Sequence, residues 1–138
     1  MMEAVLQSLM IGFPVLMLHS AVTFAILVVG MLIYLWITPH DEITLIKSGN
    51  TAAAVSFGGA LVGMAVPLAF CLAASVSVWD ILVWGALTVI LQIIAYRVTD
   101  AVLRDLSARI DRGEMASAVF MVSVKLAVCA VNAAAVGS

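Results

Sequence analysis

The sequence predicts an all-α membrane protein: four transmembrane helices built from two parallel-oriented two-helix repeats, in one integral membrane domain, 1–138. Three observations carry this. Of 138 residues, 65% are apolar and only 10% are charged, whereas soluble domains carry roughly a quarter charged residues. The charges are clustered, with none between Glu3 and Asp41 or between Lys47 and Asp80, and such stretches exceed the ~20 apolar residues that a helix needs to cross a bilayer. The two halves also match each other at an offset of 64 residues.

Four spans are expected, at about 15–38, 52–75, 79–98 and 115–136. The first is not expected to be a cleavable signal, because its leading segment has Glu3 and no Lys or Arg. The third holds only sixteen uncharged residues between Asp80 and Arg97, and side chains at both its ends can snorkel to the headgroups. Five of the six Lys/Arg residues, Lys47, Arg97, Arg104, Arg109 and Arg112, fall in the 1–2 and 3–4 connections. The positive-inside rule then puts both connections in the cytoplasm and both termini outside. Trp36, Trp79 and Tyr96 fall near the expected interfaces, as aromatic belt residues do.

The segments "IKSGNTAAAV" (46–55) and "IDRGEMASAV" (110–119) match at five of ten positions. Each stands at the entry to an outward-running span, which favours duplication, with repeat one at about 15–75 and repeat two at about 79–136. Two spans per repeat give both copies one orientation, so a pseudo-twofold axis would run along the membrane normal.

The stretch "ITPHDEITLIKSGNTAAAVSFGGALVGMAVPLA" (37–69), with "SVSVWDILVWG" (75–85), Gln92 and "NAA" (132–134), resembles the YjfL-like family of bacterial inner-membrane proteins, domain of unknown function 350. The resemblance covers nearly the whole chain. It implies a duplicated pair of two-span units in the bacterial inner membrane and, by association, an envelope or membrane-stress role. It carries over no catalytic residues, and the position of Lys125 in that family is usually small or apolar.

Ala52, Ser56, Gly59 and Gly63 share one stripe of the second span, with repeat equivalents Ala116, Phe120, Ser123 and Ala127 in the fourth. Small stripes let helix backbones approach closely in lipid, so helix packing is favoured over a pore lining. In the first span His19, Thr23, Gly30 and Tyr34 fall within about 60° of arc. In the third, Trp84, Thr88, Gln92 and Tyr96 form an i,i+4 ridge. Both stripes are expected to face protein. Beyond Arg97 the ridge continues as Val98, Val102, Leu106 and Ile110 among charges. This amphipathic 98–112 segment is expected to lie at the interface or to dock a cytoplasmic peripheral protein through Val102, Leu106 and Ile110.

Lys125 stands near the middle of the fourth span, where a charge costs at least ~2.5–3.5 kcal/mol. Pro67 lacks an N–H, so the Gly63 carbonyl loses its helical partner at a similar depth. That carbonyl, with Asn132 or Gln92, is the expected anchor for the lysine; the alternative is a lysine lining a wet path. Cys71 and Cys129 read as unpaired packing residues. His19 and His40, about 30 Å apart along the helix, build no metal site.

Two functions follow. The favoured one is a structural or adaptor component whose cytoplasmic connections dock a partner. The alternative is a homo-oligomeric channel or small transporter with Lys125, Asn132 and Gln92 along its path. No enzyme activity, cofactor or metal is expected, because the chain has no Ser/His/Asp arrangement, paired carboxylates or Gly-rich phosphate loop. A net charge of −2 with no basic aromatic-interleaved patch excludes nucleic acid. The expected partners are the lipid bilayer, further copies of the chain and a peripheral protein.

Overall fold

A computed structural model describes residues 1–38 and 41–137. Its helices in chain order are α1 (Met2–Ile37), α2 (Glu42–Lys47), α3 (Thr51–Ala74), α4 (Val78–Val102), α5 (Arg104–Asp111) and α6 (Met115–Gly137). By length and composition α1, α3, α4 and α6 can cross a membrane. α3 and α6 coincide with their expected spans to within one residue. α1 starts much earlier than expected, because the segment before Pro14 is rich in helix formers and Pro14 is carried inside the helix. α4 runs past residue 98 to Val102, where the chain bends at Leu103 (φ −104°, ψ 37°) into α5. His40 lies outside the described residues.

Local chemistry explains the ends. The Asp41 side chain caps α2, Asn50 caps α3 and Ser77 caps α4, each accepting a backbone N–H from three residues on. Asp80 reaches back to the Val76 N–H at 3.1 Å, tightening the turn before α4. α2 and α5 both end in a left-handed glycine, Gly49 (φ +93°) and Gly113 (φ +88°). The following N–H reaches back in each case, Asn50 to the Leu45 carbonyl and Glu114 to the Arg109 carbonyl. This six-to-one closure is the Schellman stop, which favours glycine because a Cβ is strained at that φ. The Asn50 amide then donates to the carbonyls of Ile110 and Asp111, at 3.3 and 3.0 Å, tying the two short helices together.

α3 is the hub. Met31, Tyr34, Ala60, Met64, Leu68, Val89 and Tyr96 form a core joining α1, α3 and α4. Ala52, Ile110, Ala118 and Met121 form a second, joining α3, α5 and α6. Ala52, Ser56, Gly59 and Gly63 are all buried, and a Cβ on Gly59 would come within 2.6 Å of Val122. Close approach of this kind is what drives helix association in lipid.

The packing face of α6 differs from the expected one. Ala116, Phe120, Ser123 and Ala127 are exposed, and the buried row is Ser117, Ala118, Met121, Lys125, Cys129 and Ala133. Burying the lysine sets the rotation of this helix. The Ser123 hydroxyl bonds the Val119 carbonyl at 2.8 Å, which satisfies it on the lipid side.

The docking ridge also needs correction. Val98 and Val102 are exposed, but Leu106 packs against the second core and Ile110 is 6% exposed within it. The bend at Leu103 turns the apolar face of α5 onto α3 and α6. Trp36 and Trp79 are exposed, as belt residues should be, whereas Tyr96 is fully buried. On the first-span stripe Gly30 and Tyr34 are buried, and His19 and Thr23 half-buried. On the third-span ridge Thr88, Gln92 and Tyr96 are buried, but Trp84 faces out.

Candidate functional site: a buried charged cluster

Five of the six Lys/Arg residues are exposed, and Lys125 is 2% exposed. Its ammonium lies 3.0 Å from Asp100 Oδ1 and donates to the Tyr34 hydroxyl at 3.0 Å. The rings of Tyr34 and Tyr96 meet edge to face, 5.6 Å apart, with the ammonium 5.3 and 5.1 Å from their centroids. Both distances suit cation–π attraction, which strengthens out of water. The Tyr34 hydroxyl in turn makes a long 3.5 Å contact to Glu42 Oε1. The Thr38 hydroxyl, bonded to the Tyr34 carbonyl at 2.6 Å, closes the end of α1 beside it.

This overturns the expected anchor. The lysine's partners are Asp100 and Tyr34, not the Gly63 carbonyl, and neither Gln92 nor Asn132 bonds it. Helical side chains lean toward the helix N-terminus, so the long stem of Lys125 carries its charge toward the basic end, where α2 and α5 lie. There it meets the unexpected last turn of α4. Tyr96 fills the place by Gly63, its hydroxyl donating to the Ala60 carbonyl at 2.8 Å and blocking the space a Gly63 Cβ would occupy. Pro67 is buried nearby.

Asp100 was legible in one respect, since the ridge Thr88–Gln92–Tyr96 extended by four residues arrives at it. Glu42 carried no such signal, because its burial depends on how α2 folds back against α1. Glu42 is 9% exposed and its Oε2 has no hydrogen-bond partner among the described residues. Burial pushes this carboxyl up to about 7; Asp100 and Asp111 add to the rise, and Lys125 and the Tyr34 hydroxyl oppose it. A cavity of about 20 Å³ lined by Tyr34, Glu42, Ser56, Asp100, Asp111 and Lys125 adjoins these groups, room for about one water molecule.

A second polar pair lies two turns along α4. Asn132 Nδ2 donates to Gln92 Oε1 at 2.8 Å, and Gln92 is fully buried, with no partner for Nε2 among the described residues. Asn132 also lines a cavity of about 410 Å³ with Cys71, Ser75, Asp80 and Thr88, at the end away from α2 and α5. Cys71 and Cys129 are buried and unpaired. Between the cavity and the cluster stands Tyr96, four residues from both Gln92 and Asp100. The bundle thus contains a polar ladder: Glu42, Tyr34, Lys125 and Asp100, then Tyr96, then Gln92 and Asn132, then the cavity holding Asp80. Intramembrane ionisable groups are costly and mark ion or proton pathways. Among the described residues no group of three His, Cys, Asp or Glu is placed to hold a metal ion.

A family model described as Domain of Unknown Function (DUF350) matches residues 8–136. The UPF0719 inner membrane protein YjfL of Escherichia coli strain K12 is 34% identical over 110 residues, covering 80% of this chain and 83% of the relative. Its counterpart in Escherichia coli O157:H7 matches to the same extent. No solved structure matches the chain.

Proposed function

We infer that this chain, which belongs to the DUF350 family, is a multi-pass inner-membrane protein that passes a small ion along its buried polar ladder. The observation that carries this reading is the Lys125–Asp100 pair, sealed by two tyrosines at one end of a row of buried polar side chains. A merely structural bundle of this size gains little from a buried ion pair, which apolar packing replaces at no loss of stability. The inner-membrane location is supported by the relatives, which are inner membrane proteins by name. Both termini are taken as periplasmic, with α2 and α5 cytoplasmic, on the strength of the five exposed cations. Duplication is supported by the matching glycine stops at Gly49 and Gly113, 64 residues apart. A homo-oligomer is supported by the exposed apolar first half of α1.

The test is ion flux into liposomes holding the purified chain under an imposed gradient. Wild type should conduct and Gln92→Leu should not; equal flux in both would remove the ladder from the path. The structural or adaptor reading is the alternative. It keeps the exposed Val102 and the charged outer face of α5, where Arg109 pairs with Asp105 and Glu114. It would be preferred if wild-type liposomes carried no ion.

A further inference from the structure

The cluster at the basic end contains one oxygen that its surroundings do not explain. Lys125 has two partners, Tyr34 bonds on both sides and Asp100 holds the ammonium, but Glu42 Oε2 is enclosed without a partner among the described residues. A buried unpaired polar atom costs about 1–3 kcal/mol and a charged one more. Either something binds that oxygen, or the carboxylate does not stay charged.

We propose that Glu42 is a proton-binding site, loaded on Oε2 from the side of α2 and α5 and coupled through Tyr34 to the Lys125–Asp100 pair. The proposal rests on the ion-passing reading above and names the ion as a proton. In the step a hydronium gives its proton to Oε2 and leaves as water. One O–H bond forms on the carboxyl, one breaks on the hydronium, and the cluster loses one negative charge.

The geometry favours a proton over a metal cation. Lys125 already occupies the cation position at Asp100, and the cavity of about 20 Å³ has no room for a hydrated ion. Among the described residues, the charged and titratable groups around Glu42 are Tyr34 from α1, Asp100 from α4, Asp111 from α5 and Lys125 from α6. α3 contributes only Ala53 and Ser56 to this wall. Asp100 therefore pairs with the ammonium directly, and Glu42 touches it only through the tyrosine. With Glu42 charged, the Tyr34 hydroxyl is drawn toward Oε1 and Lys125 is shared between two acids. With Glu42 neutral, Asp100 holds the lysine alone. The rise of the Glu42 carboxyl to about 7 puts that exchange near neutral pH.

The test uses the full chain in lipid nanodiscs with carboxyl-labelled glutamate, read by infrared difference spectroscopy from about pH 5 to about pH 9, a range centred on neutrality. The chain has three glutamates, and Glu3 and Glu114 are exposed. A labelled band with the frequency of a desolvated protonated carboxyl and a midpoint near 7 belongs to Glu42. It should vanish in Glu42→Gln, shift to higher pH in Lys125→Met and shift to lower pH in Asp100→Asn. Because the wild-type band needs no variant, poor folding of Glu42→Gln would not spoil the measurement. No such band in the wild type overturns the proposal. A titrating band without flux in liposomes keeps the site and removes the ion-passing reading. Flux with a pH dependence unchanged by Glu42→Gln does the reverse.

Discussion

Lys125 and Asp100 stand 3.0 Å apart in a place where neither charge could remain alone. The lysine is 2% exposed and the aspartate side chain 17%. Removing one member of a buried pair costs about 3–5 kcal/mol, because the other is left uncompensated, whereas replacing both is often harmless.

Lys125→Met should therefore destabilise the bundle by roughly that amount, and adding Asp100→Asn should recover most of the loss. Unfolding in mixed micelles, arranged as a double-mutant cycle, measures it. A neutral Lys125→Met, as expected for a lysine resting on a lone carbonyl, would mean that the pair contributes nothing.

Stability should fall with rising pH across the range set by Glu42. Its folded value of about 7 lies above the unfolded 4.5, so the folded chain binds more protons between the two. The contribution is complete below about pH 4.5 and is lost as pH rises through 7. It amounts to about 3 kcal/mol. Thermal unfolding over this range should show the decline in wild type and a flatter profile in Glu42→Gln; matching profiles would exclude Glu42 as its source.

Neighbouring glycines of α3 should respond in opposite ways to alanine. At Gly59 a Cβ meets Val122 at 2.6 Å, while at Gly58 nothing lies within 4 Å. Gly59→Ala should cost about 1–3 kcal/mol by overpacking, and Gly58→Ala should gain up to about 1 kcal/mol from helix propensity. Equal effects would show that α3 and α6 do not approach as closely as described.

The two sides of the α4–α5 bend offer a sharper contrast. Ile110→Asp puts a carboxylate into the second core and should unfold the basic end of the bundle, whereas Val102→Asp, at a 76% exposed position, should be tolerated. Protease sensitivity of the α5–α6 region distinguishes them. A folded Ile110→Asp variant would restore the docking surface expected from the sequence.

Orientation is tested by fusion. Alkaline phosphatase joined after Gly137 should be active and an insertion at Ser107 inactive. The reverse pattern would invert every assignment of the basic end to the cytoplasm.

The four long helices could be read from the sequence because bilayer thickness and gaps in charge are one-dimensional quantities. The stripe Ala52–Ser56–Gly59–Gly63 was equally legible, since small residues mean close backbones. The partner of Lys125 was not, because depth counted along the backbone ignores a stem that carries the charge about a turn toward the helix start. The rotation of α6 was missed for a related reason: aligning small residues puts Ser123 and Ala127 inward, but one buried ammonium outweighs two small side chains. An amphipathic pattern such as Leu106–Ile110 says that an apolar face exists, not which surface covers it.

That α4 and α6 are successive spanning segments, with α5 between them, bears on biogenesis. Presented to lipid alone, α6 would carry an unneutralised ammonium costing at least ~2.5–3.5 kcal/mol. By the time it emerges from the ribosome, α4 has already been made, with Asp100 at the end where α6 enters. The two can partition as a neutral hairpin, so α6 depends on its predecessor for insertion and not on its own hydropathy. The Gly137 fusion reads this dependence: in an Asp100→Asn chain a share of the reporter should stay on the side where it was synthesised.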